Sequence, residues 1–322
     1  MKRVIAIDHG NRMMKTVNLA FPSSYLDDKN APALGGRVLV FNDSTFHLTN
    51  DGMSIQTDKT ENDRYFILTL FAIGMELEKD AEAMQRIRAN GRIDVELLVG
   101  LPLEHFKVQQ KRFEAYFLEH GSMISFTSNG TPINITITGA TAYPQAYAAA
   151  FTAHEKLNGS RVVNIVDIGG YTVDCIQLNI KEGYAPNMSL YTSQYSGVHK
   201  LFSKINDIVK STGKNEIPLD SIEGILRNDA SVIQESSTQR LETVRSTAQS
   251  FAMSMINKIG DKGYDLDEDK MIFMGGGSIL LRDQIIKCNK VKKPIFIDNI
   301  HANAQGYQIL HQMKAKRLAN NA

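Results

Sequence analysis

Apolar and polar positions along the chain change repeatedly between strand-like and helix-like spacing. Short β-branched runs at 4–7 and 162–166 predict strands. The first run ends at Asp8-His9-Gly10 and the second at Asp167-Ile168-Gly169-Gly170, and a further strand-like run follows each turn. The two turns lie about half the chain apart. This long repeat predicts two related domains, each beginning with a hairpin that carries an Asp at its bend.

The remaining periodicity predicts helices and strands in alternation. Helices are predicted at 81–90, 104–119, 146–154, 198–209, 241–255, 279–288 and 301–318, and strands at 16–19, 94–99, 133–137, 271–274 and 295–297. Pro144 lies just before the Ala-rich segment 146–154 and is interpreted as a helix-start signal. Asn158-Gly159-Ser160 is interpreted as the linker between the domains. The alternation is typical of an α/β protein.

Composition excludes several classes of protein. The chain has 322 residues, of which 43% are hydrophobic and 22% charged, as in ordinary globular proteins. Its 36 Lys and Arg against 35 Asp and Glu do not favour direct DNA binding, which requires a clear excess of positive charge. We expect no membrane span and no export signal, and therefore a cytoplasmic protein. Cys175 and Cys288 are too few for a disulfide framework and are expected as buried thiols.

The two Asp-x-Gly turns carry the candidate chemistry. An Asp at a strand end can hold a metal-bound water, and the glycine after it lets backbone N–H groups approach a phosphate. Two such turns in a repeat predict that Asp8 and Asp167 face a polyphosphate from two sides. Lys15, on the second strand of its hairpin, would pair with phosphate oxygens. Asp174, at the equivalent place in the second hairpin, would either orient the hydration shell of Mg²⁺ or hold its own hairpin.

A third glycine-rich turn, Gly275-Gly276-Gly277-Ser278, follows a predicted buried strand. Its backbone could pass close to a flat ligand such as a nucleoside. The dinucleotide-binding GxGxxG fingerprint and the GxxxxGK[ST] loop are both missing from the chain. Any phosphate site must therefore be of another kind.

Five segments in order resemble the motifs of the actin-like ATPase superfamily, which also contains heat-shock chaperones and sugar kinases. They are the first phosphate hairpin at 7–15, a first connecting segment at 143–146, a second phosphate hairpin at 167–174, an adenosine motif at 274–278 and a second connecting segment at 302–306. Within the superfamily, the short chain and the forms of both hairpins are most similar to ParM-type plasmid-segregation proteins, as is Gly197-Val198 before a helix.

The resemblance implies an actin-like fold of two related domains, each a mixed β-sheet flanked by helices, around a nucleotide cleft. Domain I would span 1–160, with the helix at 300–322 packing back on it, and domain II would span 161–299. It also implies ATP or ADP with Mg²⁺, ATP hydrolysis coupled to a polar filament, and a ParR-type adaptor bound to centromere-like DNA. The choice between ATP and GTP and the number of strands in the filament stay open.

The resemblance also implies a set of site residues. Gln145, Asp8 and Asp167 would be catalytic, and the two carboxylates would hold Mg²⁺ through water. The nucleotide would be bound by His9, Gly10, Asn11, Lys15, Ile168, Gly169, Gly170, Tyr171, Thr172, Asp174, Gly197, Gly275, Gly276, Gly277 and Ser278. His9 is expected at the solvent-facing edge of the cleft. Gln145 would orient the attacking water rather than take its proton, so slow hydrolysis is expected.

One departure and two alternatives stay open. Arg12-Met13-Met14 places bulky side chains where relatives often have small or hydroxyl residues, so the first loop would rely on backbone N–H groups and Asn11. A small-molecule kinase of the same superfamily is one alternative, although no sugar-binding Asn-Asp pair follows Pro102. A phage or cell-shape actin homologue is the other, since it would share all of the chemistry.

Overall fold

The computed structural model of the chain describes residues 1–27, 36–51, 54, 56, 58–120, 123–157, 159–180, 185–194 and 197–320. The chain divides into two compact units, which we call unit 1 (Met1–Thr152 with His301–Ala322) and unit 2 (Ala153–Ile300). The division falls after Thr152, earlier than the linker that the sequence suggested at 158–160. Among the described helices, none has the length and apolar character needed to cross a membrane.

Strands and helices alternate along the described parts of the chain. The strands are β1 (Lys2–His9), β2 (Met13–Thr16), β3 (Ala20–Pro22), β4 (Tyr25–Asp27), β5 (Val38–Phe41), β6 (Ser44–Leu48), β7 (Ile93–Leu101), β8 (Ile124–Ser128), β9 (Thr131–Pro144), β10 (Val162–Ile168), β11 (Val173–Asn179), β12 (Ala185–Gln194), β13 (Lys270–Met274) and β14 (Pro294–Phe296). The helices are α1 (Arg64–Glu78), α2 (Ala81–Arg88), α3 (Leu103–Leu118), α4 (Tyr147–Ala150), α5 (His154–Leu157), α6 (Val198–Ser211), α7 (Leu219–Leu226), α8 (Ala230–Glu235), α9 (Thr238–Asp261), α10 (Gly276–Leu280), α11 (Arg282–Lys287) and α12 (Ala302–Asn320), with a 3₁₀ turn at Phe151–Ala153.

Unit 1 is built on a mixed sheet whose described strands run in the order β3-β2-β1-β7-β9-β8-β5-β6-β4. β1 lies antiparallel to β2 and parallel to β7, which is parallel to β9 in turn. The register of the β1–β2 hairpin places Asp8 opposite Lys15. α1 is buried along nearly its whole length and joins the core of this unit. The hairpin that carries Asp8 therefore lies at the end of β1.

Unit 2 has a smaller sheet, with the described strands in the order β12-β11-β10-β13-β14. β10 is antiparallel to β11 and parallel to β13. Asp167 therefore lies between two register partners, Asp174 on β11 and Met274 on β13. The core includes apolar residues of α6 and α9 packed against the sheet. The hairpin of β10 and β11 thus repeats the arrangement of the first hairpin, as the sequence predicted.

Several predicted elements differ from those observed. Pro144 does not start a helix: it is the last residue of β9, paired with Leu101, and the Ala-rich segment forms only short helical pieces. The second strand of the first hairpin is Met13–Thr16 rather than 16–19, because the turn after His9 is tight. The helix predicted at 279–288 is two helices that meet at Leu281. α1, absent from the prediction, is apolar on all sides and therefore lacks the one-sided periodicity of a surface helix.

Candidate functional site

In unit 1, the Asp8 carboxylate is buried and surrounded by hydrogen-bond donors. It lies at the end of β1 and is 2% exposed. Oδ1 accepts from Nε2 of Gln145 at 2.7 Å. Oδ2 accepts from Nζ of Lys15 at 3.3 Å and from Nδ2 of Asn303 at 3.4 Å. Burying a polar group without hydrogen-bond partners is costly, and these three donors satisfy the carboxylate and keep it in one orientation.

The loop after Asp8 is held by its own backbone and by neighbouring side chains. A Cβ on Gly10 would lie 2.5 Å from the carbonyl oxygen of Met13, so only glycine fits there. Oδ1 of Asn11 accepts a hydrogen bond from the hydroxyl of Tyr65 at 2.6 Å and one from the backbone N–H of Gln56 at 3.4 Å. The side-chain oxygen of Asn11 therefore holds the loop in place through these two hydrogen bonds.

The prediction that His9 lies at a solvent-facing edge is wrong. Its ring is fully buried, packs edge-on against Phe113 and shares a hydrogen bond of 2.9 Å with the hydroxyl of Thr69. Burial, with a second contribution from the charge of Lys59, lowers the pKa of His9 well below its ordinary value. Successive side chains of β1 point to opposite faces of the sheet, and that of His9 points to the face covered by α1 and α3. The ring is therefore a neutral group of the core.

Asn303 is a residue that the sequence analysis did not single out, although it lies in the second connecting segment. From α12, its Nδ2 donates to Asp8 while its Oδ1 accepts from the backbone N–H of Ala146 at 2.8 Å. Ala146 is the centre of a γ-turn: φ is 58°, ψ is −49°, and the N–H of Tyr147 donates to the carbonyl of Gln145 at 2.6 Å. Such a turn is strained for an L-residue. Asn303 therefore connects the Asp8 carboxylate to the strained turn that carries Gln145.

In unit 2, backbone hydrogen bonds join the loop after Asp167 to the start of α6. The N–H of Gly169 donates to the carbonyl of Thr172 at 2.9 Å, which closes the hairpin. The carbonyls of Gly169 and Gly170 accept from the N–H groups of Val198 and His199 at 3.2 and 2.8 Å. The loop and the first turn of α6 therefore form one hydrogen-bonded unit.

Gly197 is required by this junction. A Cβ there would lie 2.6 Å from the carbonyl oxygens of both Gly169 and Gly170. Its own N–H donates to the carbonyl of Tyr171 at 2.9 Å. Real Cβ atoms do not approach backbone atoms so closely. Any side chain at position 197 would therefore displace the loop that contains Gly169 and Gly170.

Two glycines of the third turn also pack against the second hairpin. Gly275 has φ +83° and ψ 165°, and a Cβ on it would lie 2.3 Å from Oδ1 of Asp167. A Cβ on Gly277 would lie 2.4 Å from Cγ2 of Ile168. A Cβ on Gly276 meets nothing within 4 Å. The structure thus brings the predicted adenosine motif directly against Asp167, and leaves open space at Gly276.

The side chains around these turns are engaged locally. The hydroxyl of Ser278 donates to the carbonyl of Gly275 at 2.9 Å, so it could meet a ligand only as an acceptor. The hydroxyl of Thr172 donates to Oδ2 of Asp174 at 3.0 Å. This bond favours the second of the two roles considered for Asp174, that of holding its hairpin. The Tyr171 ring stacks on His199, with 4.4 Å between centroids.

Mg²⁺ is the metal that the predicted chemistry implies. Within the described part of the chain, no group of three or more His, Cys, Asp or Glu side chains is placed to hold a metal directly. Asp8 already accepts three hydrogen bonds, which leaves room for about one more acceptor contact on its oxygens. Mg²⁺ usually keeps several of its waters. These residues therefore fit Mg²⁺ held through water by single carboxylates, and not direct coordination by a protein cage.

Comparison with known families follows the same division of the chain. Residues 6–147 match the family described as the N-terminal domain of actin-like proteins. Residues 165–287 match the family described as the C-terminal part of the archaeal actin homologue MreB-like. Among curated protein sequences, none is a significant match.

Solved structures with the same fold include three informative ones. The archaeal actin homologue Ta0583 in complex with ADP is 20% identical, with a TM-score of 0.73 over 96% of this chain and 99% of that one. The actin-like protein Alp7A is 13% identical, with a TM-score of 0.73 over 100% and 99%. A 15-stranded ParM filament from Clostridium botulinum is 16% identical, with a TM-score of 0.73 over 97% and 99%. The chain therefore has the actin-like fold, and its two parts match two separate family models of actin homologues.

Proposed function

We propose that the chain is an ATPase that binds ATP with the residues of both hairpins and assembles into filaments. The observation that carries this proposal is the repeated hairpin: each has a carboxylate at a strand end followed by a loop in which glycines let the backbone lie close. The ADP complex of Ta0583 supports nucleotide binding by this fold. The filament structures among the relatives support self-association.

Phosphoryl transfer requires positioning and charge neutralisation more than covalent participation by the protein. We assign the phosphate contacts to the backbone of 9–11 and 168–170 and to the ammonium group of Lys15. Lys15 is partly exposed, with 20% of its side chain accessible, and can therefore reach a ligand while it stays close to Asp8. Mg²⁺, held through water by Asp8 and Asp167, would neutralise charge on the phosphates.

Gln145 is the residue that we assign to the attacking water. Its Nε2 is used by Asp8, which leaves the amide oxygen to accept a hydrogen bond from a water. An amide cannot take a proton at neutral pH, so Gln145 orients the water and does not act as a base. Slow hydrolysis follows from this arrangement. The strained turn at Ala146 and its bond to Asn303 fix the direction in which Gln145 points.

The nucleoside is assigned to the turn at 275–278. Gly276 is the only one of its three glycines at which an added Cβ would meet open space, and open space beside the backbone is what a flat ligand requires. Gly275 and Gly277 instead pack against Asp167 and Ile168. In this assignment Gly276 contacts the ligand, and the two other glycines hold the turn against the phosphate hairpin.

The cellular role that we propose is plasmid segregation, with filaments growing between adaptor-bound centromere complexes. ParM structures among the structural relatives, one of them a filament, support it. The adaptor would be a small ParR-type DNA-binding protein. A cell-shape or phage actin homologue would use the same chemistry and differ in its partner. A pull-down with the product of a small gene beside this one, in the presence of ATP and of repeated DNA from the same region, would separate these roles. Binding that requires both would support plasmid segregation.

Right-angle light scattering with parallel phosphate release, after addition of Mg-ATP, tests the central proposal. We expect scattering to rise and phosphate to follow after a lag. Asp167→Ala should abolish both signals, and Asp220→Ala, an exposed carboxylate of the same unit, should leave them unchanged. Flat scattering, combined with ATP turnover that requires an added sugar or acid, would overturn the filament proposal in favour of the kinase alternative.

A further inference from the structure

A cavity of about 170 Å³ lies in unit 2 between α6, α9 and strand β11. Its floor is apolar and buried: Val173 and Cys175 come from β11, and Met255 and Ile259 come from α9, with exposures of 4%, 1%, 6% and 3%. An engineered cavity of about 150 Å³ in another protein holds one benzene molecule. The space therefore fits a group of about the size of one aromatic ring.

Three lysines, which we call the lysine rim, surround this cavity: Lys200 and Lys204 on α6, and Lys258 on α9. All three are exposed. Lys200 and Lys204 are four residues apart and so lie on the same face of α6, where like charges repel. Among the described residues, none forms a hydrogen bond or an ion pair with the side-chain ammonium group of any of the three. No described residue lining the cavity is acidic.

We propose that this cavity binds a small organic anion, with a phosphate or carboxylate group at the lysine rim and a ring-sized apolar group on the floor. The positive charge of the rim selects an anion. A bound anion also reduces the repulsion between the lysines, which adds to the affinity. The apolar floor selects against inorganic phosphate, because an ion without an apolar part does not remove the apolar surface of the floor from water. The ring-sized volume selects against long acyl chains.

The position of the cavity gives the anion a route to the second hairpin. Val173 directly follows the loop 168–172, and Lys200 directly follows His199, whose N–H donates to the carbonyl of Gly170. A ligand that touches β11 and α6 together therefore touches both elements that hold this loop. We expect the anion and a nucleotide to change each other's affinity by the same factor. This coupling rests on the proposed function, whereas anion binding does not.

Phenyl phosphate is the probe for the test, titrated by calorimetry into the natural chain. We expect saturable binding with a Kd of about 1 mM or tighter, which is ordinary for a ligand of this size in a preformed pocket. Benzyl alcohol, which lacks the charge, and inorganic phosphate, which lacks the ring, should each bind at least about tenfold more weakly. No saturation by about 20 mM phenyl phosphate would overturn the proposal.

Variants locate the binding. Lys204→Gln with Lys258→Gln should weaken phenyl phosphate about fivefold or more, as expected for the loss of two exposed charge pairs. Lys262→Gln with Lys287→Gln removes two exposed lysines of the same unit outside the cavity, and should change the Kd less than about twofold. Equal effects of the two double variants would overturn the site. All four positions are on the surface, so the variants are expected to fold.

ADP separates this site from the proposed nucleotide site. Phenyl phosphate should bind with the same stoichiometry when ADP is saturating, since the cavity is separate from the nucleotide contacts. Complete displacement by ADP would overturn the cavity as the binding site. A chain that binds phenyl phosphate at the lysine rim but does not bind ADP would retain the anion site and overturn the proposed function. Binding to acidic vesicles or acidic peptides, with none to phenyl phosphate, would also overturn the proposal.

Discussion

Alanine at Gly275 should damage unit 2 far more than alanine at the next residue. Gly275 has φ +83° and ψ 165°, a region that is essentially restricted to glycine. A Cβ there would also lie 2.3 Å from Oδ1 of Asp167 and 2.6 Å from the carbonyl oxygen of Ile168. Gly276 has neither problem, since a Cβ on it has nothing within 4 Å. The two substitutions are chemically identical and adjacent.

The cost of Gly275→Ala has two parts. The backbone conformation costs an L-residue about 1–3 kcal/mol. Overpacking against two oxygen atoms at these distances adds about 1–3 kcal/mol. Together they predict a loss of about 2–6 kcal/mol in the stability of the segment around β10 and β13, and about 3 kcal/mol within that range is about a hundredfold in an opening equilibrium. Gly276→Ala should change stability by less than about 1 kcal/mol.

Hydrogen exchange followed by mass spectrometry measures this locally, on peptides that cover β10 and β13. We expect Gly275→Ala to exchange about a hundredfold faster there than the natural chain, and Gly276→Ala to exchange at the natural rate. ADP binding provides the second measurement: Gly275→Ala should lose it because Asp167 is displaced. Gly276→Ala should weaken ADP binding without loss of stability, if the nucleoside lies against that residue. Equal exchange in the two variants would refute the reasoning.

Three further outcomes are expected. Asn303→Ala leaves the N–H of Ala146 buried without its acceptor, which costs about 1–3 kcal/mol. Hydrogen exchange of the peptide around Ala146 should become about tenfold faster or more. Gln312→Ala, on the exposed end of the same helix, should leave that exchange unchanged. Lys15→Met should lower ATP affinity more than tenfold with little loss of folding, since its ion pair is partly exposed; an unchanged Kd would remove it from the phosphate contacts. Burial raises the pKa of both thiols, Cys175 and Cys288, so a thiol reagent at pH 8 should label them slowly in the native chain and fully in urea.

The hairpins were predictable because local sequence determines them. β-branched runs, a turn residue and a glycine lie within about ten residues of each other, which located both turns, although the second strand of the first hairpin is Met13–Thr16 and not 16–19. Pro144 was misinterpreted since the same residue type ends strands and begins helices. Only the pairing of Pro144 with Leu101 decides between the two. That pairing involves residues too far apart for any local pattern to contain.

The contacts of the candidate site were less predictable than its positions. Nothing near Asn303 in the sequence indicates that its side chain bonds to Asp8, 295 residues away. His9 was misplaced because its neighbour Asp8 was taken to share its environment, although successive residues of a strand point to opposite faces. The turn at Ala146 could not be foreseen either, since alanine is not expected at positive φ.

The bond between Asn303 and Asp8 has a consequence for the order in which the chain folds during its synthesis. Unit 2 is one continuous stretch, Ala153–Ile300, and all of it has been made before Asn303 is added. Unit 1 has its early strands available first, yet Asp8 and the turn at Ala146 gain a shared partner only from α12. On the ribosome, the unit that begins later in the sequence can therefore complete its fold first. The first hairpin then reaches its final geometry last, after the hairpin of unit 2.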